Sequence, residues 1–176
     1  VWLRRDLRIA DNPALFHAAQ EGPVVAVYVL DDESPRHQAY GGASRWWLHH
    51  SLESLAKPLD AVGSRLILRR GEAAVELAQL AEECGAAAIH ANRHYEPWWL
   101  NAERKLAKSV DLRLHDANYL MPPGTITTGS GGQYKIYTPF SRAVRAAFPP
   151  RDEVSAPERL EAPAKWPTSD DLGSWN

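Results

Sequence analysis

Four ionisable side chains stand where apolar runs give way to polar residues, and their types suit holding a ligand better than breaking a bond. Arg5 follows the apolar run 1–3, Asp31 closes the run 24–30, Arg45 lies in the first turn of a long helical stretch, and Glu96 precedes Pro97 at the opening of another. A guanidinium at a strand's carboxyl edge can grip an anionic or carbonyl-rich group by paired hydrogen bonds. A carboxylate there accepts from an N–H or a hydroxyl. Each residue has a structural alternative. Arg4, Arg5 and Arg8 can pair with Asp6 and Asp11 to fix a turn, Glu96 suits a helix N-terminus as a capping anion, and Arg45 can be a solvated surface charge. A cation near a helix N-terminus opposes the helix dipole, so Arg45 calls for a negative partner nearby, either a ligand or a carboxylate.

No catalytic set assembles from the remaining residues. The chain lacks a nucleophile elbow, a Walker A loop and a G-x-G-x-x-G fingerprint, and Gly129 to Gly132 has no following Lys. Cys84 is the single cysteine, which excludes an internal disulfide and a cysteine metal cage. Of the seven histidines, His49 and His50 are adjacent and point apart on a helix, while His90 and His94 span a strand end. No metal site is expected.

The elements that must position these side chains alternate between β and α. Apolar runs at 1–3, 24–30, 65–68, 86–91 and 110–114 read as strands, each followed by helical spacing. Asn12-Pro13 opens the first helix, which should run to about Gln20. Ser44 is expected to cap the second, with Trp47, Leu48, Ser51, Leu52 and Leu55 as its inward stripe and Pro58 kinking it or ending it near Lys57. After Gly71 a third helix should turn Val75, Leu77, Ala78 and Ala81 inward and stop at Gly85, and a fourth begins near Pro97. The pattern predicts an α/β fold: a doubly wound, Rossmann-like, five-stranded parallel sheet with helices on both faces, followed by an extended linker. Residues 1–125 form the α/β domain, 126–148 a crossing segment with a short helix over 139–148, and 149–176 a linker, since five prolines fall between Pro149 and Pro167. Ligands of such sheets sit beyond the carboxyl ends of the strands, where Arg5, Asp31 and Glu96 gather.

Composition narrows the function classes. With 44% hydrophobic and 24% charged residues the chain is globular rather than disordered, and a net charge of -2 gives no general electrostatic reason to bind nucleic acid. No apolar run approaches the roughly 20 residues that cross a bilayer. A cytoplasmic location without membrane contact is expected. Val1 falls directly inside a strand, so the chain reads as incomplete at both ends.

The segment Val1-Trp2-Leu3-Arg4-Arg5-Asp6-Leu7-Arg8, followed by Asp11-Asn12-Pro13-Ala14-Leu15, closely resembles the opening strand and turn of the photolyase and cryptochrome family. Three later blocks resemble the same family in order: Ala43-Ser44-Arg45-Trp46-Trp47-Leu48, Asn92-Arg93-His94-Tyr95-Glu96-Pro97 and Tyr134-Lys135-Ile136-Tyr137-Thr138-Pro139-Phe140. The resemblance implies the N-terminal half of a deoxyribodipyrimidine photolyase. That half helps hold an antenna chromophore, whose excitation reaches FAD in a helical C-terminal half that also binds UV-damaged DNA and repairs pyrimidine dimers. Arg5, Asp31, Arg45 and Glu96 become antenna contacts, Arg45 by matching the antenna-facing arginines of deazaflavin-binding relatives. Trp98 and Trp99 stand where folate-binding members carry an Asn-Glu pair, so an 8-hydroxy-deazaflavin or a flavin is favoured over methenyltetrahydrofolate. The last block implies aromatics packed between domains. Left bare, that surface, with Trp166 and Trp175, is expected to form an apolar patch that allows self-association. Two other readings share the fold: a cryptochrome photoreceptor module without repair, and a stand-alone nucleotide-binding α/β protein of the stress type.

Overall fold

Valine-rich runs bounded by capping and turn residues give the secondary structure of the computed structural model, which describes residues 1–148 and 151–175. The strands are β1 (Trp2–Leu3), β2 (Ala26–Leu30), β3 (Leu66–Arg70), β4 (Ile89–Asn92) and β5 (Leu112–His115). The helices are α1 (Pro13–Glu21), α2 (Gly42–Ala61), α3 (Ala73–Cys84), α4 (Pro97–Leu106) and α5 (Tyr137–Ala146), with single 3-10 turns at Arg36–Gln38 and Leu172–Trp175. All pairings are parallel and the strand order is β3-β2-β1-β4-β5, so the direction of winding reverses between β1 and β4. The carboxyl ends splay apart at that reversal, which places the ligand crevice of such sheets beside Arg4, Arg5 and Asn92.

Both faces of the sheet are covered. Val27 and Val29 of β2 meet Leu77 and Leu80 of α3 and Trp99 and Leu106 of α4, while Ala26, Tyr28 and Leu30 face α1 and α2 through Leu15, Leu48, Leu52, Leu55 and Leu59. The period-2 alternation of a strand thus feeds two apolar layers, and all five β2 residues are buried. Asn12 caps α1 by accepting from Leu15 N at 3.1 Å, and Gly85 ends α3 in the left-handed region at φ 65°, which suits glycine.

Several expectations shift on the observed fold. The N-cap of α2 is Gly41, with Ser44 inside the first turn, and the helix continues through Pro58 to Ala61. Its buried stripe is Leu48, Leu52, Leu55 and Leu59, whereas Trp47 is 69% exposed. Adjacent Trp46 and Trp47 point about 100° apart around the axis, and the stripe through Leu48 leaves both outside. Val75 likewise turns outward, with Leu80 taking its expected place. β4 begins only at Ile89, where pairing with Leu112 starts.

The proline-rich tail is extended but bound. Asp11 N donates to Val154 O, Val24 N to Glu161 O, Leu160 N to Val62 O and Asp170 N to Leu68 O. Leu160 and Trp175 are buried in the α1/α2 layers, and Trp166 packs on the opposite layer with the Arg65 guanidinium 5.2 Å from its ring. These side chains therefore do not form the bare surface expected for the tail by extending the interdomain resemblance to Trp166 and Trp175. Proline keeps the strand-like path while Leu160 and Trp175 anchor it, each buried side chain being worth about 1.5–3 kcal/mol. Pro149 and Pro150 lie outside the described residues.

Candidate functional site

A buried polar network builds the crevice at the winding reversal. The Arg4 side chain is fully enclosed, its guanidinium 4.3 Å from the Trp2 ring and 5.5 Å from that of Trp99. It pairs with Glu103 of α4 at 2.7 Å and donates to the Asn92 carbonyl of β4. Burial lowers its proton affinity despite the Glu103 carboxylate. Beside it, Asn92 Nδ2 donates to Asp6 at 2.6 Å and to Asn12 at 2.8 Å, and Asn92 Oδ1 accepts from Ala14 N. Burial alone would raise the Asp6 carboxyl, but bonds from His94, the Arg4 amide and Asn92 outweigh it and hold the group below its ordinary value. The turn after β1 is thereby locked to β4 and α4.

On this base the four anticipated residues separate. Arg5 and Glu96 meet, with Nη1 2.6 Å from Oε1, and Arg5 remains half-exposed. Asp31 lies near Arg5 but is consumed internally: Oδ1 accepts from Glu33 N and Ser34 N, and Oδ2 from Ser34 Oγ and Ala73 N. It fixes the turn after β2 and the start of α3, and with these bonds in place its carboxylate has little left to offer a ligand. Arg45 points elsewhere, toward Leu30, Leu48, Leu172 and Trp175. Its negative partner is Asp32, at 2.6 Å, which also receives Arg70 at 3.0 Å. A carboxylate of this chain therefore satisfies the cation that helix-dipole reasoning left in need of one.

Space decides where a ligand fits. The recess between Arg5, Asp31, Tyr28, Trp98 and Trp99 encloses only about 20 Å³, because the indoles and Tyr40 fill it. Next to it, between the β1–α1 turn and α2, opens a cleft of about 970 Å³ lined by Arg5, Arg8, Tyr40, Ser44, Trp47 and Ser51 among others. Binding pockets for organic cofactors run roughly 300–1,000 Å³. Arg5, Arg8 and His50 are the basic side chains on its wall, which among the described residues carries no carboxylate. Sequence reasoning missed this cleft because it placed Trp47 in the core. The available signal was the leucine series Leu48, Leu52, Leu55 and Leu59, a complete inward stripe at spacings of four and three that leaves Trp47 at its edge. A flat, anionic heteroaromatic group suits the indole and phenol surfaces together with the guanidinium groups.

Comparison with known proteins agrees with this architecture. Residues 1–163 match the DNA photolyase family. The chain is 38% identical to the deoxyribodipyrimidine photo-lyase of Agrobacterium fabrum, over 99% of this chain and 37% of that protein. It is 32% identical to cryptochrome-1 of Arabidopsis thaliana, over 91% of this chain and 24% of that protein. The crystal structure of a bacterial class III photolyase from Agrobacterium tumefaciens superimposes with a TM-score of 0.89 at 38% identity, covering 99% of this chain and 37% of that one. The chain thus spans well under half the length of these relatives. With the family match over residues 1–163, 38% identity along 99% of the chain and a TM-score of 0.89, this chain belongs to the DNA photolyase family and corresponds to the N-terminal α/β domain.

Proposed function

We propose that this chain is the light-collecting half of a deoxyribodipyrimidine photolyase, seating an antenna chromophore in the cleft between the β1–α1 turn and α2. The observation that carries the reading is that cleft: aromatic and cationic, free of carboxylates, and beside the sheet's winding reversal. Arg5 contacts the chromophore with Glu96 as its counter-ion. Arg45, through Asp32, and Asp31, through the start of α3, hold the walls. An 8-hydroxy-deazaflavin or a flavin is the chromophore class preferred over methenyltetrahydrofolate, since Trp98 and Trp99 replace the polar pair a pterin would need.

FAD, UV-damaged DNA and the repair step belong to polypeptide beyond this chain, which alone has no dimer-splitting activity. The exposed face of α5 and its approach, Ile136, Tyr137 and Phe140, is the docking face for that polypeptide and the surface through which the isolated chain self-associates. No helix among the described residues is long and apolar enough to cross a membrane, and we assign the parent protein to the cytoplasm.

Titration of the full-length parent with riboflavin, an 8-hydroxy-deazaflavin and methenyltetrahydrofolate, followed by fluorescence, tests the chromophore. Saturable binding of one of the first two, weakened at least about tenfold by Arg5→Ala (about 1.4 kcal/mol), supports the reading. Binding of the folate alone overturns the chromophore class, and indifference to Arg5→Ala overturns the site. The similarity to a plant cryptochrome supports a second reading, a photoreceptor without repair, which light-driven dimer cleavage by the parent would exclude.

A further inference from the structure

The face of α1 that meets the β4–β5 edge is polar where an apolar layer is the rule. His17 and Glu21, four residues apart and on one side of α1, face His90 of β4 and Arg113 and His115 of β5. The strand residues share one face: His90 pairs in register with Arg113, and His115 follows two positions later. The His17 ring stacks on that of His115 with centroids 4.9 Å apart and planes 13° off parallel. His90 Nδ1 lies 3.1 Å from His115 Nε2, and His90 Nε2 lies 3.6 Å from Glu21 Oε2, which Arg113 also engages.

The nitrogens diverge, so no metal ion is invited. His90 turns one nitrogen to His115 and the other to Glu21, and among the described residues no group of three or more His, Cys, Asp or Glu is arranged to hold a metal. What the layer can take is a proton. An imidazole-to-imidazole hydrogen bond needs a lone pair on one partner, and Glu21 favours the proton on His90 Nε2. His90 Nδ1 then accepts from His115 Nε2. With both rings protonated, neither can accept. His90, His115 and Arg113 would then set three cations, with the His17 ring stacked on His115, against the carboxylates of Glu21 and Asp111.

The edge held by this layer leads to the crevice. His115 O accepts from Arg93 N at 2.7 Å, Asp116 lies 3.6 Å from the Arg93 guanidinium, and Asn118 Nδ2 donates to Arg93 O. We propose that the imidazole layer is a proton-operated latch: neutral, it clamps β5 and the corner after it onto the sheet, and on gaining protons it releases that edge together with the Arg93–His94 turn. Burial and the neighbouring rings already hold His115 in its neutral form, down to about pH 4, and burial lowers His90 as well, so the folded edge resists protonation and acid pulls it open.

Amide exchange on the chain tests this inference independently of chromophore binding. Arg93 N donates to His115 O at the end of β5 and Ile89 N to Asp111 O just before it, whereas Val27 N donates to Val1 O in the sheet centre. Between about pH 7.5 and about pH 5 the protection factors of Arg93 and Ile89 should fall at least about tenfold relative to Val27, and His115→Gln should lessen that fall. An unchanged ratio in the parent chain overturns the latch, as does an equal fall in His115→Gln. Should that variant not fold, exposed His17→Gln takes its place, and it must lessen the fall or the latch is refuted.

Discussion

Removing Glu103 should expose how much of the fold depends on one buried charge. Arg4 has no exposed side-chain surface and sits between Trp2 and Trp99, and Glu103 is the carboxylate paired with its guanidinium. In Glu103→Ala the guanidinium keeps its bond to the Asn92 carbonyl, while its Nε already lacks a partner among the described residues. An interior cation stripped of its counter-ion costs about 3–5 kcal/mol. At about 2–4 °C per kcal/mol for a chain of this size, the unfolding midpoint drops by roughly 6–20 °C. The companion double variant, Arg4→Met with Glu103→Leu, fills the same volume without charge and should recover most of that loss. Urea unfolding of the chain, Arg4→Met, Glu103→Leu and the double variant closes a double-mutant cycle. A loss below about 1 kcal/mol in Glu103→Ala would refute the claim that this pair is desolvated and tightly held.

Other outcomes follow from the same geometry. His115 is pushed down to about 4 and His90 lies below its ordinary value of 6.5, so the unfolded chain binds more protons between those limits; stability is full above pH 6.5 and falls as pH drops toward 4. Because the His115 ring is partly open to solvent, the loss discounts to about 1–2 kcal/mol, readable by urea unfolding across that range. Asp6 behaves as a depressed carboxylate, its contribution present above its ordinary 3.8 and lost only at more acid pH, which Asp6→Asn would remove from the acid-unfolding curve. Leu160→Ala should cost about 2–5 kcal/mol in thermal unfolding, because the tail's leucine fills the layer beside Leu55 and Leu59. Arg45→Ala should cost at most about 1 kcal/mol, since its pair with Asp32 is only partly shielded from water.

The sheet was legible because β2 is an unbroken apolar run and because each strand is followed by helical spacing. Boundaries were less so: periodicity cannot say that residues 86–88 find no partner strand, nor that α2 runs past Pro58, whose missing N–H is absorbed by the helix. Asp31 reads as a ligand contact from its place at a strand end, and Arg45 from its likeness to the antenna-facing arginines of the family. Only three-dimensional pairing shows that Ser34 and Ala73 consume one and that Asp32 neutralises the other. Arg4 carried no warning of burial, since a sequence motif does not reveal that Trp99 and Glu103 close over it. The tail reads as an extended linker because proline content signals an extended path, whereas its attachment through Leu160 and Trp175 shows only in the packing. The resemblance in the opening motif identified the family where spacing alone reached only the fold class.

The account rests most heavily on the cleft beside Trp47. The most direct measurement is chromophore occupancy in the purified full-length parent, by absorbance and by excitation transfer to its flavin, for the unaltered protein, Trp47→Ala and Arg8→Ala. The account predicts occupancy reduced at least about tenfold in both variants with flavin content and fold unchanged. Full occupancy in both would show that the antenna lies elsewhere.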